Sequence, residues 1–250
     1  MEVAVLGLGE AGGRIAADLV AAGCAVRGWD PAQRLVGIDN ATSAREAVRG
    51  AEVVLSLNTA AVALDVAVGV ADELSGDALY ADLNTASPQL KRDIAAALPV
   101  QFADVALIGV VPNLGLTIPA LASGEGAERF AELFRPLGMP VEVVGAQPGN
   151  AAGLKLLRSV FMKGIAAAAI ETLEAANAAG VADRLHAEIA AVLGEPLLER
   201  LLTGSRAHAA RRVDEMRAAA AYVEELGVEP RIASAAAAWL EQLASRPRPS

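Results

Sequence analysis

The chain has 250 residues, 54% of them hydrophobic and 20% charged, with a formal net charge of −9. An acidic balance and an aromatic share of 3% argue against a nucleic-acid binder, which uses a basic surplus and stacking rings. The single cysteine, Cys24, excludes an internal disulfide and fits a reducing, cytoplasmic setting. No apolar run reaches the ~18–20 residues of a membrane span. The apolar stretch from Val3 to Leu8 is too short, and too soon followed by glycines, for a signal peptide.

In chain order, Val3–Leu6 reads as a buried strand, Arg14–Ala22 as a helix stopped at Gly23, and Ala25–Trp29 as a second strand. Ser43–Arg49 is helical, with Thr42 or Ser43 as N-cap. Val53–Leu57 is a third strand and Ala60–Leu74 a helix. Ala78–Leu83 is a fourth strand, followed by a helix over Gln89–Leu98 behind Pro88, a good first-turn residue. Phe102–Ile108 is a fifth strand, Ala127–Leu137 a helix and Val141–Val144 a late strand. Strands apolar on both faces and alternating with helices predict a parallel sheet covered on both sides. After Gln147-Pro148-Gly149 the strands cease. A long helix over Ala151–Ala179 stops at Gly180, and helices follow at about 182–193, 196–203, 205–226 and 229–245, with Gly194, Gly204 and Gly227 as stops. The tail, Arg246–Ser250, carries two prolines and reads as frayed. The predicted organisation is an α/β unit over 1–148 and an all-helical unit over 149–250.

Gly7-Leu8-Gly9-Glu10-Ala11-Gly12 fits G-x-G-x-x-G, directly after a strand and opening a helix. That context marks a Rossmann dinucleotide-binding domain with a doubly wound parallel sheet. The first glycine permits the tight turn, the second admits the pyrophosphate to the backbone, and the third lets helix pack on strand. The phosphates would rest on free N–H groups at the helix N-terminus. Asp30, closing the second strand, can accept from ribose hydroxyls and repels a 2′-phosphate, which favours NAD over NADP. Arg34 just downstream could meet that phosphate instead.

Asp82-Leu83-Asn84-Thr85-Ala86-Ser87-Pro88, Gly153-Leu154-Lys155 and the glycine turn together resemble the 6-phosphogluconate dehydrogenase-like superfamily, the β-hydroxyacid dehydrogenases. The resemblance covers nearly the whole chain. The family carries D-x-S-T-x-S-P, and Asn84 stands at its first serine. The stretch His208-Ala-Ala-Arg-Arg-Val-Asp-Glu-Met216 resembles an uncharacterised phosphogluconate dehydrogenase-like branch. The resemblance implies an NAD(P)-dependent oxidoreductase acting on CH–OH groups of a small hydroxy or oxo compound, a polar acid. Lys155 would be the general acid and base, an amine whose pKa burial pulls toward working pH. Ser159 stands where the family often has an orienting asparagine. Lys163, two helical turns beyond Lys155 and about 80° around the axis, would flank the same face and lower that pKa further. Asn58 and Thr85 are expected at the cofactor, and Asn84 and Gly109 at the substrate.

Two departures bear on the substrate. The family binds a carboxylate with D-A-P-V-S-G-G, whereas here Asp104-Val105-Ala106-Leu107-Ile108-Gly109-Val110 puts Ile108 at the serine and Val110 at the second glycine. Asn113 is the candidate replacement for the lost polar group. His208, Arg211, Arg212 and Glu215 share a helix face at i, i+3, i+4 and i+7. His208 and Arg211 could hold an anionic substrate group, and the simpler reading is an Arg211–Glu215 ion pair. No third ligand joins His186 and His208 at a metal-site spacing, so no metal is expected. Cys24 reads as a core filler. An imine reductase shares this architecture but usually lacks the lysine. A nicotinamide-binding sensor or subunit without turnover is the alternative that Ile108 and Val110 motivate. An alanine-rich helical half predicts a homodimer, with no nucleic-acid or membrane partner.

Overall fold

In the computed structural model, residues 1–207 and 209–245 are described. The chain divides into two compact units, Met1–Lys155 and Leu156 onward. The boundary falls inside a helix, seven residues beyond the turn at Gln147-Pro148-Gly149.

The first unit begins with β1 (Glu2–Leu6), α1 (Glu10–Ala21), β2 (Ala25–Trp29), β3 (Asp39–Asn40), α2 (Ala44–Val48), β4 (Val53–Ser56) and α3 (Ala63–Val70). It continues with β5 (Leu79–Asp82), α4 (Pro88–Ala97), β6 (Gln101–Leu107), α5 (Val111–Leu114), β7 (Ala120–Ser123), α6 (Ala127–Phe134), β8 (Val141–Val143) and the start of α7 (Asn150–Ala178). The sheet order is β3-β2-β1-β4-β5-β6-β7-β8. Pairing is parallel as far as β6; β7 runs antiparallel to β6, and β8 is parallel to β7. The order reverses at β1, which sits between β2 and β4, and this is the topological switch point of a Rossmann sheet.

Strand alternation splits the core in two. Val3, Val5, Val53, Leu55, Ala103 and Val105 pack toward Ile15 and Leu19 of α1 and toward Phe130 and Phe134 of α6. Ala4, Leu6, Val54 and Tyr80 pack toward α2, α3 and α4 through Ala47, Ala67 and Ile94. The expected double winding is what this unit has.

The second unit comprises the rest of α7 with α8 (Ala182–Leu193), α9 (Glu195–Ala207), α10 (Ala209–Glu225) and α11 (Arg231–Ser245). Its core gathers Leu156, Val213, Met216, Ala233, Ala236, Ala237 and Leu240. Only helices occur among its described residues. No described helix is long and apolar enough to cross a membrane.

Several expectations need correction. Helix α1 starts at Glu10, not Arg14, because Gly12 and Gly13 fall inside its first turns despite their poor helix propensity. The two-residue β3, the single-turn α5 and β7 were not foreseen. Ala120–Ser123 lacks β-branched and aromatic residues, and Val111–Leu114 is too short to show a period. Gly204 does not stop a helix, since α9 runs through it to Ala207. Gly180, Gly194 and Gly227 do end helices, each with positive φ, and Gly204 is not among the positive-φ glycines. A Cβ there would stand 3.0 Å from Arg212 Nη2, the far end of a long side chain that can move aside. Residues 246–250 lie outside the described residues. The Cys24 side chain is half-buried and packs against the core.

On the α2–α3 surface, Arg49 and then Arg45 grip Glu73, with Arg49 Nε at 2.8 Å from Oε2 and Arg45 Nη2 at 2.8 Å from Oε1. Their hydrogen bonds hold its carboxyl at about 2, against an ordinary 4.5. A depressed folded pKa gives stability that is full above the unfolded value and lost as pH falls through the folded one. Glu73→Gln should therefore flatten the fall of melting temperature between pH 4.5 and about 2. Parallel acid limbs in wild type and variant would contradict this.

Candidate active site

The glycine turn occupies the carboxyl end of β1. Gly7 takes φ +100, and a Cβ on it would stand 2.5 Å from the carbonyl oxygen of Leu57. Gly12 lies against Gly7 itself, where a Cβ would be 1.9 Å from the Gly7 carbonyl oxygen. At Gly9 a Cβ would meet nothing within 4 Å. Gly9 caps α1 without any side-chain hydrogen bond, so the first-turn N–H groups stay available to an anion. Gly9 and Glu10 are exposed, Ala11 is half-buried, and Leu8 and Gly12 are buried. An open approach at the second glycine, closed backbone at the first and third, and an uncapped helix start fit a pyrophosphate.

Asp30 lies just past β2. Its Oδ2 accepts from Leu8 N–H at 2.9 Å, and its Oδ1 accepts from the N–H groups of Ala32 and Gln33 at 2.8 and 2.9 Å. Partial burial pushes this carboxyl up, and the three N–H bonds, aided by Arg34, more than reverse it. Asp30 is therefore an anion that shapes the glycine turn. The Arg34 guanidinium donates to the carbonyls of Asp30 and Gln33 at 2.7 and 2.9 Å.

The carboxyl ends of β4 and β5 carry the next group. Asn84 is buried, and its amide donates to Ser56 Oγ at 3.0 Å and to Asn58 Oδ1 at 3.1 Å. Asn58 in turn donates to Ser56 Oγ at 3.0 Å. Asn84 thus ties one strand end to the next, an assignment its spacing alone did not suggest. Thr85 is exposed, and its Oγ1 accepts from Lys155 Nζ at 2.9 Å. The amine expected to carry the proton chemistry is half-buried, beside a residue expected at the cofactor.

Sequence reasoning missed what lies beneath. Lys91 of α4 is fully buried, with Nζ 3.2 Å from Asp82 Oδ1 and 3.2 Å from Asp104 Oδ1. Burial alone would push this ammonium down; Asp82 and Asp104 reverse that and hold it above its usual value. Asp104 Oδ2 also accepts from Gly149 N–H and Ala152 N–H at 3.1 and 3.0 Å, while Ser123 Oγ accepts from Ala151 N–H at 3.0 Å. A carboxylate from β6 therefore caps α7. The available signal was the lysine count. Lys91, Lys155 and Lys163 are the only lysines among 21 Lys and Arg, and each enters a polar network.

The segment after β6 turns into α5 and a 3-10 turn over Gly115–Thr117. Arg14 Nη1 donates to the Pro112 carbonyl at 2.8 Å, and Asp18 Oδ2 accepts from Leu116 N–H at 3.0 Å, so α1 anchors this segment. Gly109 and Asn113 are exposed, and Val110 stays 50% exposed despite its apolar side chain.

In the second unit, Lys163 Nζ donates to Ser159 Oγ at 2.9 Å and pairs with Glu215 Oε2 at 3.1 Å. Burial pushes the Lys163 ammonium down, Glu215 partly restores it, and Arg212 and Arg158 lower it again. His208 lies outside the described residues, as does the side chain of Arg211. His186, Glu195 and Glu199 place ligand atoms within 4.8 Å of one another at the α8–α9 junction. That grouping was not foreseen, and both glutamates are exposed.

An uncharacterized 28.5 kDa protein from Methanothermus fervidus is 31% identical over 176 residues, 69% of this chain and 68% of its own length. Residues 2–111 match the NAD binding domain of 6-phosphogluconate dehydrogenase. The chain belongs to the 6-phosphogluconate dehydrogenase-like, β-hydroxyacid dehydrogenase superfamily. Residues 176–243 match a domain of unknown function (DUF1932), which supplies this superfamily member with most of its helical unit. A conserved hypothetical protein from Sinorhizobium meliloti 1021 superposes with a TM-score of 0.81 at 30% identity, covering 96% of this chain and 87% of the other. The 3-hydroxyisobutyrate dehydrogenase of Mycobacterium tuberculosis, solved with L-serine, gives 0.84 at 23% identity over 98% and 94%. At that identity the likeness to this dehydrogenase is one of fold.

Proposed function

We propose that the protein is an oxidoreductase that moves a hydride between a nicotinamide dinucleotide and a carbon of a small hydroxy or oxo compound, a polar acid, with Lys155 as general acid and base. The observation that carries this reading is the 2.9 Å bond between Lys155 Nζ and Thr85 Oγ1, beyond the carboxyl end of β5. The glycine turn lies on the same edge of the sheet, at the end of β1. In open α/β sheets that edge, at the switch point, is where ligands bind.

The bound dinucleotide supplies the hydride acceptor in one direction and the donor in the other. In oxidation, Lys155 as a free amine takes the hydroxyl proton while the carbon loses hydride and the C–O bond becomes a carbonyl. In reduction its ammonium returns that proton. Thr85 accepts one N–H of the amine and so directs the others. Ser56, Asn58 and Asn84 keep the neighbouring strand ends joined, and Gly109 and Asn113 offer exposed backbone and amide to the substrate.

The Asp30 carboxylate supports NAD as the preferred cofactor, because it would repel a 2′-phosphate. Fluorescence titration should give NADH a dissociation constant at least about threefold below that of NADPH, and a panel of hydroxy acids and matching oxo compounds should yield turnover. No association of either dinucleotide at millimolar concentration would overturn the reading. Exposed Phe161, Val192 and Ile232, at 65%, 83% and 60%, support a homodimer, for which light scattering is the check.

A further inference from the structure

Burying an ammonium in an apolar interior is unfavourable unless its partners are well placed, and an apolar side chain of similar volume is often at least as stable. Lys91 is nevertheless 0% exposed, as are Asp82 and Asp104. Elsewhere the chain meets its need for cations with arginine and keeps lysine for three positions. What Lys91 connects is therefore more informative than what it stabilises.

From Lys91 two paths lead out. On one side Nζ donates to the main-chain oxygen of Asp82 at 2.8 Å and to its Oδ1 at 3.2 Å. The same Oδ1 accepts from Asn84 N–H at 2.7 Å, which fixes the start of the loop carrying Thr85. On the other side Nζ faces Asp104 Oδ1 at 3.2 Å. The second oxygen of Asp104 accepts from Ser123 Oγ at 3.1 Å and from the N–H groups of Gly149 and Ala152. These bonds seat the first turn of α7, one turn before Lys155. The paths meet again where Lys155 Nζ donates to Thr85 Oγ1.

We propose that Lys91 is a positioning residue, a buried clamp that holds the Thr85 loop and the first turn of α7 in one register so that Thr85 and Lys155 meet. This rests on the reading of Lys155 as acid and base. A merely structural lysine would lower stability when replaced and leave the Lys155–Thr85 contact intact in the folded molecules.

The test labels lysine amines of the intact protein with trinitrobenzenesulfonate and reads Lys155 by peptide mass spectrometry. The variants are Lys91→Met, Lys91→Met/Asp82→Asn, Thr85→Val and their combinations, each measured on the fraction that melts cooperatively. The Lys91→Met/Asp82→Asn pair leaves Asp104 as one buried anion, the same net charge as the original trio, and guards against unfolding. Loss of the clamp should raise the Lys155 labelling rate at least about threefold, to the level of Thr85→Val, with the combined variant no faster. A wild-type rate in folded Lys91 variants, or effects that add to that of Thr85→Val, would overturn the proposal. The assay needs neither substrate nor dinucleotide. Its failure therefore counts against the clamp alone, whereas failure of the NADH titration counts against the oxidoreductase reading alone. Where turnover is measurable, the two Lys91 variants should lower kcat at least about tenfold with KM and NADH affinity changed less than about threefold.

Discussion

Replacing Lys155 with alanine should cut turnover by about 10²–10⁴-fold, the usual contribution of a positioned acid–base group, while NADH affinity moves less than about threefold. The reason is spatial separation of tasks. The N–H groups offered to the pyrophosphate belong to α1, and Lys155 stands at the start of α7, bonded to Thr85. Lys155→Arg should not rescue activity, because guanidinium stays protonated at any working pH and cannot accept the hydroxyl proton. Single-turnover hydride transfer followed at 340 nm makes the comparison. Retained turnover in Lys155→Ala would remove the lysine from the chemistry, whereas dinucleotide binding with no turnover by the wild type would favour a binding module instead.

Gly12→Ala and Gly9→Ala should fail in opposite ways. At Gly12 the added methyl would lie 1.9 Å from one backbone oxygen and 2.9 Å from the adjoining carbon, both of Gly7. Backbone cannot swing aside as a long side chain can, so α1 must move off β1. The expected cost is about 3 kcal/mol or more, a fall of roughly 6–12 °C in melting temperature for a chain of this length. At Gly9 the methyl enters open space. Melting should stay within about 2 °C, while NADH affinity falls more than about tenfold because the methyl occupies the approach to the pyrophosphate. Wild-type NADH affinity in Gly9→Ala would place the dinucleotide elsewhere.

Much of this architecture was readable in advance, for identifiable reasons. Strands β1, β4 and β5 are apolar on both faces and bounded by turns, so periodicity and length point to a covered parallel sheet. Of the two N-cap candidates before the second helix, Ser43 accepts from an N–H three residues on; Ser87 caps the helix behind Pro88 in the same way and was not foreseen. What escaped depends on partners distant in sequence. Helix α1 begins earlier than propensity suggests because its glycines pack against the β1–α1 turn. Strand β7 is built of alanine, leucine and serine, and it exists because β6 offers it a free edge.

The site was legible where a motif names a residue and obscure where a residue serves another. The glycines announce themselves by spacing, and Lys155 by the family resemblance. Asn84, expected to face substrate, donates its amide N–H groups to Ser56 and Asn58, a tie its spacing did not show. Lys91 carried no motif at all. Its two carboxylate partners lie 9 and 13 residues away on different strands, a relation that only the folded sheet creates.

The cap on α7 constrains how such a protein can be reassembled over evolutionary time. Asp104 and Ser123 belong to the sheet, yet the N–H groups they satisfy belong to Gly149, Ala151 and Ala152. Recombination at the turn near Gln147 would hand those acceptors a foreign helix start or none, and would strand a desolvated carboxylate. The seam across which modules can be traded therefore lies past Ala152, so the sheet must be inherited together with the opening residues of the helix that follows it.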